Sequence, residues 1–384
     1  MMTGLERLTT NGALLLKGRR VAIVTHPAAV TSDLTDCVTA LLQCDVVVSA
    51  LFAPEHGFSG VVADGLHVQD AVHESTRLPI YSLYGATQEP TSAMLADVDI
   101  IVFDMQDVGV RFYTFISTLF YVLKGAAKTH LPVVVLDRPN PLNGLTREGP
   151  VLLPGFESFV GILPIPLRYG LTIGELAHYI NQTQGFEVEL TVIPMMGWRR
   201  AMGFDETGLP WAPTSPAMPH FSTTLVYPGM CFLEGTNVSE GRGTALPFEV
   251  CGAPWIDGEA LAAHLNALAL PGVRFRPTQF VSLASKYAGE VCGGVQIHVM
   301  DRAAFRPVTA GLHVLAALKA LYPAGFAWLP QSWEGAHPHI DLLAGTDQVR
   351  RALDTGVDVT ELVGGWGDAV ADFEQTSRQY WLYT

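Results

Sequence analysis

The sequence predicts an α/β protein: a Rossmann-like, doubly wound and mostly parallel sheet, followed by a smaller α+β domain. Three observations carry this expectation. Short apolar runs at residues 20–26, 46–52, 99–104 and 132–137 alternate with stretches of helical periodicity. Each run is apolar at nearly every position, as in strands covered on both faces. The strands end in charged or amide side chains, at the edge where open α/β sheets bind ligands.

Taken in order, residues 20–26 form a first strand, and residues 36–42 carry an apolar stripe suited to a helix. The second strand breaks at Ala53-Pro54-Glu55-His56-Gly57-Phe58. Pro54 removes a backbone donor and Gly57 turns the chain at little steric cost, so Glu55 and His56 emerge at the strand's carboxyl end. Residues 59–78 are polar and irregular, like a lid; residues 79–85 read as a short strand and turn, and 92–96 as a brief helix. The strand at 99–104 runs into a polar loop and then a helix over 115–128. The strand at 132–137 ends in the rigid turn Arg138-Pro139-Asn140-Pro141-Leu142-Asn143-Gly144. A further helix spans 172–182, with Thr172 as N-cap and Glu175 as its capping-box partner. Residues 194–247 are rich in Pro, Gly, Trp and Met and weakly periodic, which marks a junction near Val226 and divides the chain into domains 1–225 and 226–384. Beyond it lie a strand at 293–299, an amphipathic helix at 307–321, and helices near 346–355 and 367–378.

Composition narrows the function. With 16% charged and 49% hydrophobic residues, most of the chain must fold around substantial cores. A net charge of −14 disfavours non-specific binding to nucleic acid or to an anionic membrane. Cys37, Cys44, Cys231, Cys251 and Cys292 are scattered and contain no CxxC pair, as expected of buried thiols in a reducing compartment. No signal peptide and no apolar stretch of membrane-spanning length is visible, so a cytoplasmic location is expected unless a leader has been removed. Neither GxGxxG after the first strand nor GxxxxGK[ST] occurs, and no cofactor is expected.

Four loop clusters gather chemistry just past apolar runs: Glu55-His56; Asp104, Gln106, Asp107 and Arg111; Arg138, Asn140, Asn143 and Glu148; and Glu234, Asn237, Glu240 and Arg242. Three follow strands of one predicted sheet and so share its edge; the fourth requires the junction to fold over that edge.

The stretches PEHGFSG (54–60), FDMQDVGVRFYTFISTL (103–119), LDRPNPLNG (136–144), EGP (148–150), PLRYGLTIGELA (166–177), SPAMP (215–219) and EGTNVSEGRGT (234–244) together resemble the NamZ exo-β-N-acetylmuramidase family over nearly the whole chain. The resemblance implies an active site in a cleft between the two domains. It also implies release of β-linked N-acetylmuramic acid (MurNAc) from the non-reducing end of peptidoglycan fragments, with muropeptides or MurNAc-GlcNAc saccharides as partners.

Such chemistry needs a carboxylic acid to protonate the leaving oxygen and a second group to activate water or attack the anomeric carbon. Glu55, in the PEHG motif, is the expected acid, with His56 tuning it. For the second role Glu240, on a glycine-flanked loop, is preferred; Asp104, Asp107 and Glu234 stay open. The plainer alternative makes Glu240 and Arg242 a loop salt bridge. The lactyl carboxylate of MurNAc calls for a cation, and Arg111, Arg138, Arg168 and Arg242 all lie in matching motifs. The plainer reading pairs Arg111 with Asp107 and Arg138 with Asp137. Gln106, Asn140, Asn143 and Asn237 suit sugar hydroxyl and acetamido groups, and Tyr113, Tyr169, Trp198 and Trp211 suit stacking on a sugar face. Two competing readings are a non-catalytic muropeptide-binding protein and a metal hydrolase using His26, Glu55, His56, Asp104 and Asp107; the latter lacks a compact ligand spacing, and no metal is expected.

Overall fold

The computed structural model describes residues 1–63, 65–331 and 337–384. Its strands, in chain order, are β1 (Arg20–Thr25), β2 (Val47–Ala53), β3 (Ala71–Val72), β4 (Pro79–Ser82), β5 (Ile100–Asp104), β6 (Val133–Leu136), β7 (Glu148–Val151), β8 (Pro166–Arg168), β9 (Leu190–Ile193), β10 (Val250–Ala253), β11 (Val273–Val281) and β12 (Val291–Val299). A seven-stranded sheet runs in the order β3-β4-β2-β1-β5-β6-β9, parallel throughout except for β3. β10, β12 and β11 form an antiparallel sheet in the second part of the chain, and β7 and β8 form a two-stranded ribbon.

The parallel strands are apolar at successive positions because both faces are covered. On one face Val21, Ile23, Leu51, Val102 and Val134 pack on Leu5 and Leu8 of the helix Gly4–Thr10 and on Val38 and Leu41 of the helix Cys37–Leu42. The alternate residues Val24, Phe52, Phe103 and Val135 join the helices Phe115–Thr129 and Ile173–Thr183 in a second core. That core continues without interruption into the 226–384 region, through residues such as Tyr227, Phe232, Leu312 and Phe373. The helix Ile173–Thr183 starts with the predicted capping box of Thr172 and Glu175.

Two expectations change. Residues 92–97 are turns, since a stretch so short holds a single closure of α-helical span, Leu95 N–H to the Thr91 carbonyl at 3.1 Å. The 194–247 segment, read as a weakly periodic connection, contains the helix Phe221–Met230. This helix is buried on most sides and contains Pro228, so it has no amphipathic signature. Its Gly229 lies against the helix Pro307–Leu321, where a Cβ would come within 1.9 Å of the Pro307 carbonyl.

The end of the chain returns to the first sheet. Leu382 N–H donates to Glu175 Oε1 at 2.8 Å, Arg200 N–H to the Thr384 carbonyl at 3.0 Å, and the Tyr383 hydroxyl to Asp137. Asp137, just past β6, also accepts from Thr172 Oγ1 and the Gly174 amide, both at 2.8 Å. No helix among the described residues is long and apolar enough to cross a membrane.

Candidate active site

Strand register brings the predicted clusters to one edge. Val24 of β1 sits beside Phe52 of β2 and Phe103 of β5, and Phe103 beside Val135 of β6. The residues that follow these strands, His26, Glu55, Asp107 and Arg138, therefore line the same carboxyl edge. All four are buried, with Glu55 8% and Asp107 6% exposed.

Glu55 accepts hydrogen bonds on both oxygens. Thr114 Oγ1, at the start of the helix Phe115–Thr129, donates to Oε2 at 2.8 Å, and the Gly65 amide donates to Oε1 at 3.0 Å. Gly65, ten residues on, thus reaches back to the carboxylate. His56 adopts a left-handed conformation, φ 70°, and its Nδ1 lies 2.9 Å from the Val62 carbonyl. A carbonyl only accepts, so Nδ1 carries a proton there.

Asp107 is held from one side. Its Oδ2 accepts the Gly109 amide at 2.6 Å and the Tyr169 hydroxyl, while its buried Oδ1 has no partner among the described residues. Gly109 is required here: φ is 80°, and a Cβ would lie 2.3 Å from Asn140 Oδ1. Burial raises the Asp107 carboxyl to about 6, against the opposing hydrogen bonds from Tyr169 and the Gly109 backbone. Gln106 ties the loop together, donating from Nε2 to the Asp107 and Pro139 carbonyls at 2.8 and 2.9 Å. Its amide donates to His26 Nε2 at 2.9 Å. Burial, with the charges of Arg138 and His56, pushes the His26 ring well below its ordinary range. His26 is therefore neutral, with its proton on Nδ1, an atom without a partner among the described residues.

Tyr113 lies within electrostatic reach of both carboxylates. Burial and then the charges of Asp107 and Glu55 raise its hydroxyl, against its hydrogen bonding with Thr214 and Ser215; it donates to Thr214 Oγ1 at 2.7 Å. Its ring meets Phe115 at 4.8 Å, and Phe115 meets His26 at 4.7 Å.

Other predicted site residues are engaged in holding the fold. Asp104 receives Arg138 bidentately, Nε to Oδ1 at 2.5 Å and Nη2 to Oδ2 at 2.9 Å, and Arg138 also donates to the Val30 carbonyl. Arg111 gives its terminal nitrogens to the carbonyls of Pro150, Ile165, Leu343 and Ala344, and burial pushes its guanidinium down to about 9. Asn140 bridges Leu171 and Leu142, Asn143 caps residues 145 and 146, and Asn237 bridges Gly325 and Ala327. Arg168 donates to the Leu142 carbonyl, and Glu148 Oε1 accepts from Thr309 at the start of the helix Pro307–Leu321. Tyr169 and Trp198 are buried, whereas partly exposed Trp211 shares a small cavity with Gln106, Arg138 and Thr31.

The 234–242 loop forms a closed charge network. Arg242 meets Glu234 at 2.6 Å and Glu240 at 3.6 Å, and Lys286 meets Glu240 at 2.9 Å. Burial opposes it, but Arg242 and His339 hold Glu234 down at about 2. The loop reaches the sheet edge through aromatic rings: Arg242 lies 4.9 Å over Phe248, Phe248 meets Tyr227 at 4.7 Å, and Tyr227 meets Tyr113 at 6.0 Å.

Sequence reasoning did not single out Thr114, Thr214 or Lys286. Thr114 closes the MQDVGVRFYT loop before an apolar helix, a capping position that could have flagged it. Lys286 lies in no recognisable pattern. Among the described residues, no three His, Cys, Asp or Glu side chains group closely enough to hold a metal ion.

Comparison with known proteins adds to this geometry. Residues 21–222 match the family model "Exo-beta-N-acetylmuramidase NamZ, N-terminal", and residues 225–383 match its C-terminal counterpart. The chain is 43% identical to the peptidoglycan β-N-acetylmuramidase NamZ of Bacillus subtilis (strain 168), over 100% of this chain and 91% of that protein. Two crystal structures of DUF1343 family proteins from Bacteroides fragilis NCTC 9343 share the architecture. One superposes with a TM-score of 0.91 at 36% identity and the other with 0.79 at 28%, each covering 100% of this chain and 99% of its own.

Proposed function

Because this chain belongs to the NamZ exo-β-N-acetylmuramidase family, we infer that it is a glycoside hydrolase releasing non-reducing terminal MurNAc from peptidoglycan fragments, with Glu55 as general acid. The observation that carries the assignment of the acid is the Glu55–Thr114 pair. A threonine hydroxyl can donate to a carboxylate or accept from a carboxylic acid, so the contact survives both protonation states of Glu55. That is what a group giving up a proton and recovering it requires.

Of the predicted cations, Arg242 is the most accessible to the lactyl carboxylate, with its Nε and Nη2 already given to Glu234. Its side chain is 17% exposed, against 4% for Arg138, and Arg111 is fully buried on four carbonyls. His56, anchored at Val62, fixes the turn that presents Glu55. A cytoplasmic setting, with muropeptides taken up during wall recycling as substrate, fits five cysteines that form no disulfide. A deletion strain that accumulates muramyl disaccharides outside the cell would argue against it.

The test is release of free MurNAc from β-1,4-linked MurNAc-GlcNAc by the wild type beside Glu55→Gln, with folding checked. Turnover by the wild type and a loss of about 10²-fold or more in the folded variant is the expected result. A wild type that binds the disaccharide and never cleaves it would overturn the function; full activity in the variant would overturn the role of Glu55.

A further inference from the structure

We propose that Asp107 is the second catalytic carboxylate of this site, its Oδ1 taking a proton from the attacking water on the face opposite Glu55, so that hydrolysis inverts the anomeric configuration. The proposal rests on the glycosidase reading above and names the partner of Glu55 within it.

Four carboxylates compete for the role, and three are committed elsewhere. Asp104 is closed by the Arg138 fork, Glu234 by Arg242, and Glu240 by Lys286 with Arg242 behind it. Asp107 alone among them keeps a buried oxygen without a partner in the described residues, while Tyr169 and Gly109 fix the other oxygen and so aim it. The topology also favours a wide spacing. Glu55 follows β2 and Asp107 follows β5, with β1 between them. Two inter-strand steps separate the strands by roughly 9–10 Å. Retaining pairs stand about 5–5.5 Å apart, whereas inverting pairs stand about 6.5–9.5 Å apart to admit a water. The intervening strand ends in His26, whose Nδ1–H is a buried donor without a partner among the described residues, on the edge shared by the two acids. An acceptor at Asp107 and a donor at His26 are the complement a single water needs. A carboxyl raised to about 6 is ionised at neutral pH and still basic enough to accept a proton.

In the step, the water oxygen bonds to C1 of MurNAc while the C1–O4 bond breaks, its electron pair leaving with O4. Glu55 delivers its proton to O4, and the water gives one to Asp107 Oδ1. The products are α-MurNAc and the shortened saccharide; Asp107 is left protonated and Glu55 ionised, and exchange with solvent restores both.

The experiment follows wild-type hydrolysis of MurNAc-β-1,4-GlcNAc by proton NMR at times short against mutarotation, beside kinetics of Asp107→Asn and of Asp107→Ala with and without sodium azide. Expected are α-MurNAc as first product, a loss of about 10²-fold or more in kcat for the folded Asn variant, and azide rescue of the Ala variant with α-muramyl azide as product. β-MurNAc appearing first, or an Asp107→Asn enzyme keeping more than a tenth of wild-type kcat, overturns the proposal and leaves the glycosidase standing. The anomer is read on the wild type, so the outcome holds even where a variant fails to fold. A folded wild type without turnover would instead remove the glycosidase reading, and this proposal with it.

Discussion

At the carboxyl edge of the large sheet, Asp107 and His26 each keep a buried polar atom without a partner among the described residues, while in the 234–242 loop Glu240 is met by Lys286 at 2.9 Å and Glu234 by Arg242 at 2.6 Å. Both regions are acidic, both are largely buried, and both lie in long family motifs. They differ in what surrounds the carboxylates. In the loop, opposite charges close on one another and fix the backbone against Phe248 and Tyr227. At the sheet edge, an unpaired buried oxygen costs about 1–3 kcal/mol, a cost tolerated at sites where a ligand completes the hydrogen bonding. An acid in a motif is thus no guide to its role until its partners are known.

The comparison breaks most visibly in activity. Glu55→Gln is expected to lose about 10²-fold or more in kcat, whereas Glu240→Gln stays within about tenfold. Glu240→Gln instead loses about 2–4 kcal/mol of stability in urea unfolding, because it leaves Lys286 facing a neutral amide. Equal activity losses in two equally stable variants would show that the loop does chemistry after all. Next in size is Arg242→Lys, which should raise KM for MurNAc-GlcNAc about tenfold with a smaller change in kcat, as expected when a guanidinium fixed in place by Glu234 becomes a mobile point charge.

A subtler difference lies in stability against pH. The folded-state value for Asp107 lies near 6, above the ordinary 3.8, so the native state binds its proton more tightly than the unfolded chain does. Its charge therefore destabilises the fold progressively as pH rises from about 4 to 6, and fully above that. Asp107→Asn should be more stable than the wild type by about 1–3 kcal/mol at pH 8, and the gain should vanish near pH 4. An unchanged or lower melting temperature at pH 8 would contradict this. The smallest effect belongs to Tyr169→Phe. Losing the hydroxyl removes a bond that favours the ionised Asp107, so the acid limb of kcat should move upward by about one unit, with kcat at pH 8 within a few-fold of wild type. A limb that stays in place would sever Tyr169 from the site.

Much of the fold was legible for a simple reason: β1, β2, β5 and β6 are mostly covered on both faces, so burial writes a nearly continuous apolar run into each. The Thr172–Glu175 capping box was equally plain because it is local. β11 went unread because it is an edge strand interrupted by Pro277, and Phe221–Met230 because a helix buried on most sides loses its stripe. At the site, the sequence located the acids but not their partners. Arg138 follows Asp137 and was paired with it on the plainer reading, yet β5 and β6 lie side by side, so Arg138 turns to Asp104 while Asp137 caps the 173–183 helix. Such pairings depend on which strands are neighbours, and no local pattern records that.

The return of the chain end to the first sheet has a consequence in time. Asp137 and Tyr383 are 246 positions apart, so the tyrosine emerges from the ribosome roughly 10–50 s after the carboxylate it will cover. Until then Asp137 and Glu175 stay more open to water, and the 1–225 region waits with an incomplete wall. The break between the two family-model matches, at residues 222–225, is therefore a break in sequence more than in folding history: residues 382–384 complete a sheet made long before them.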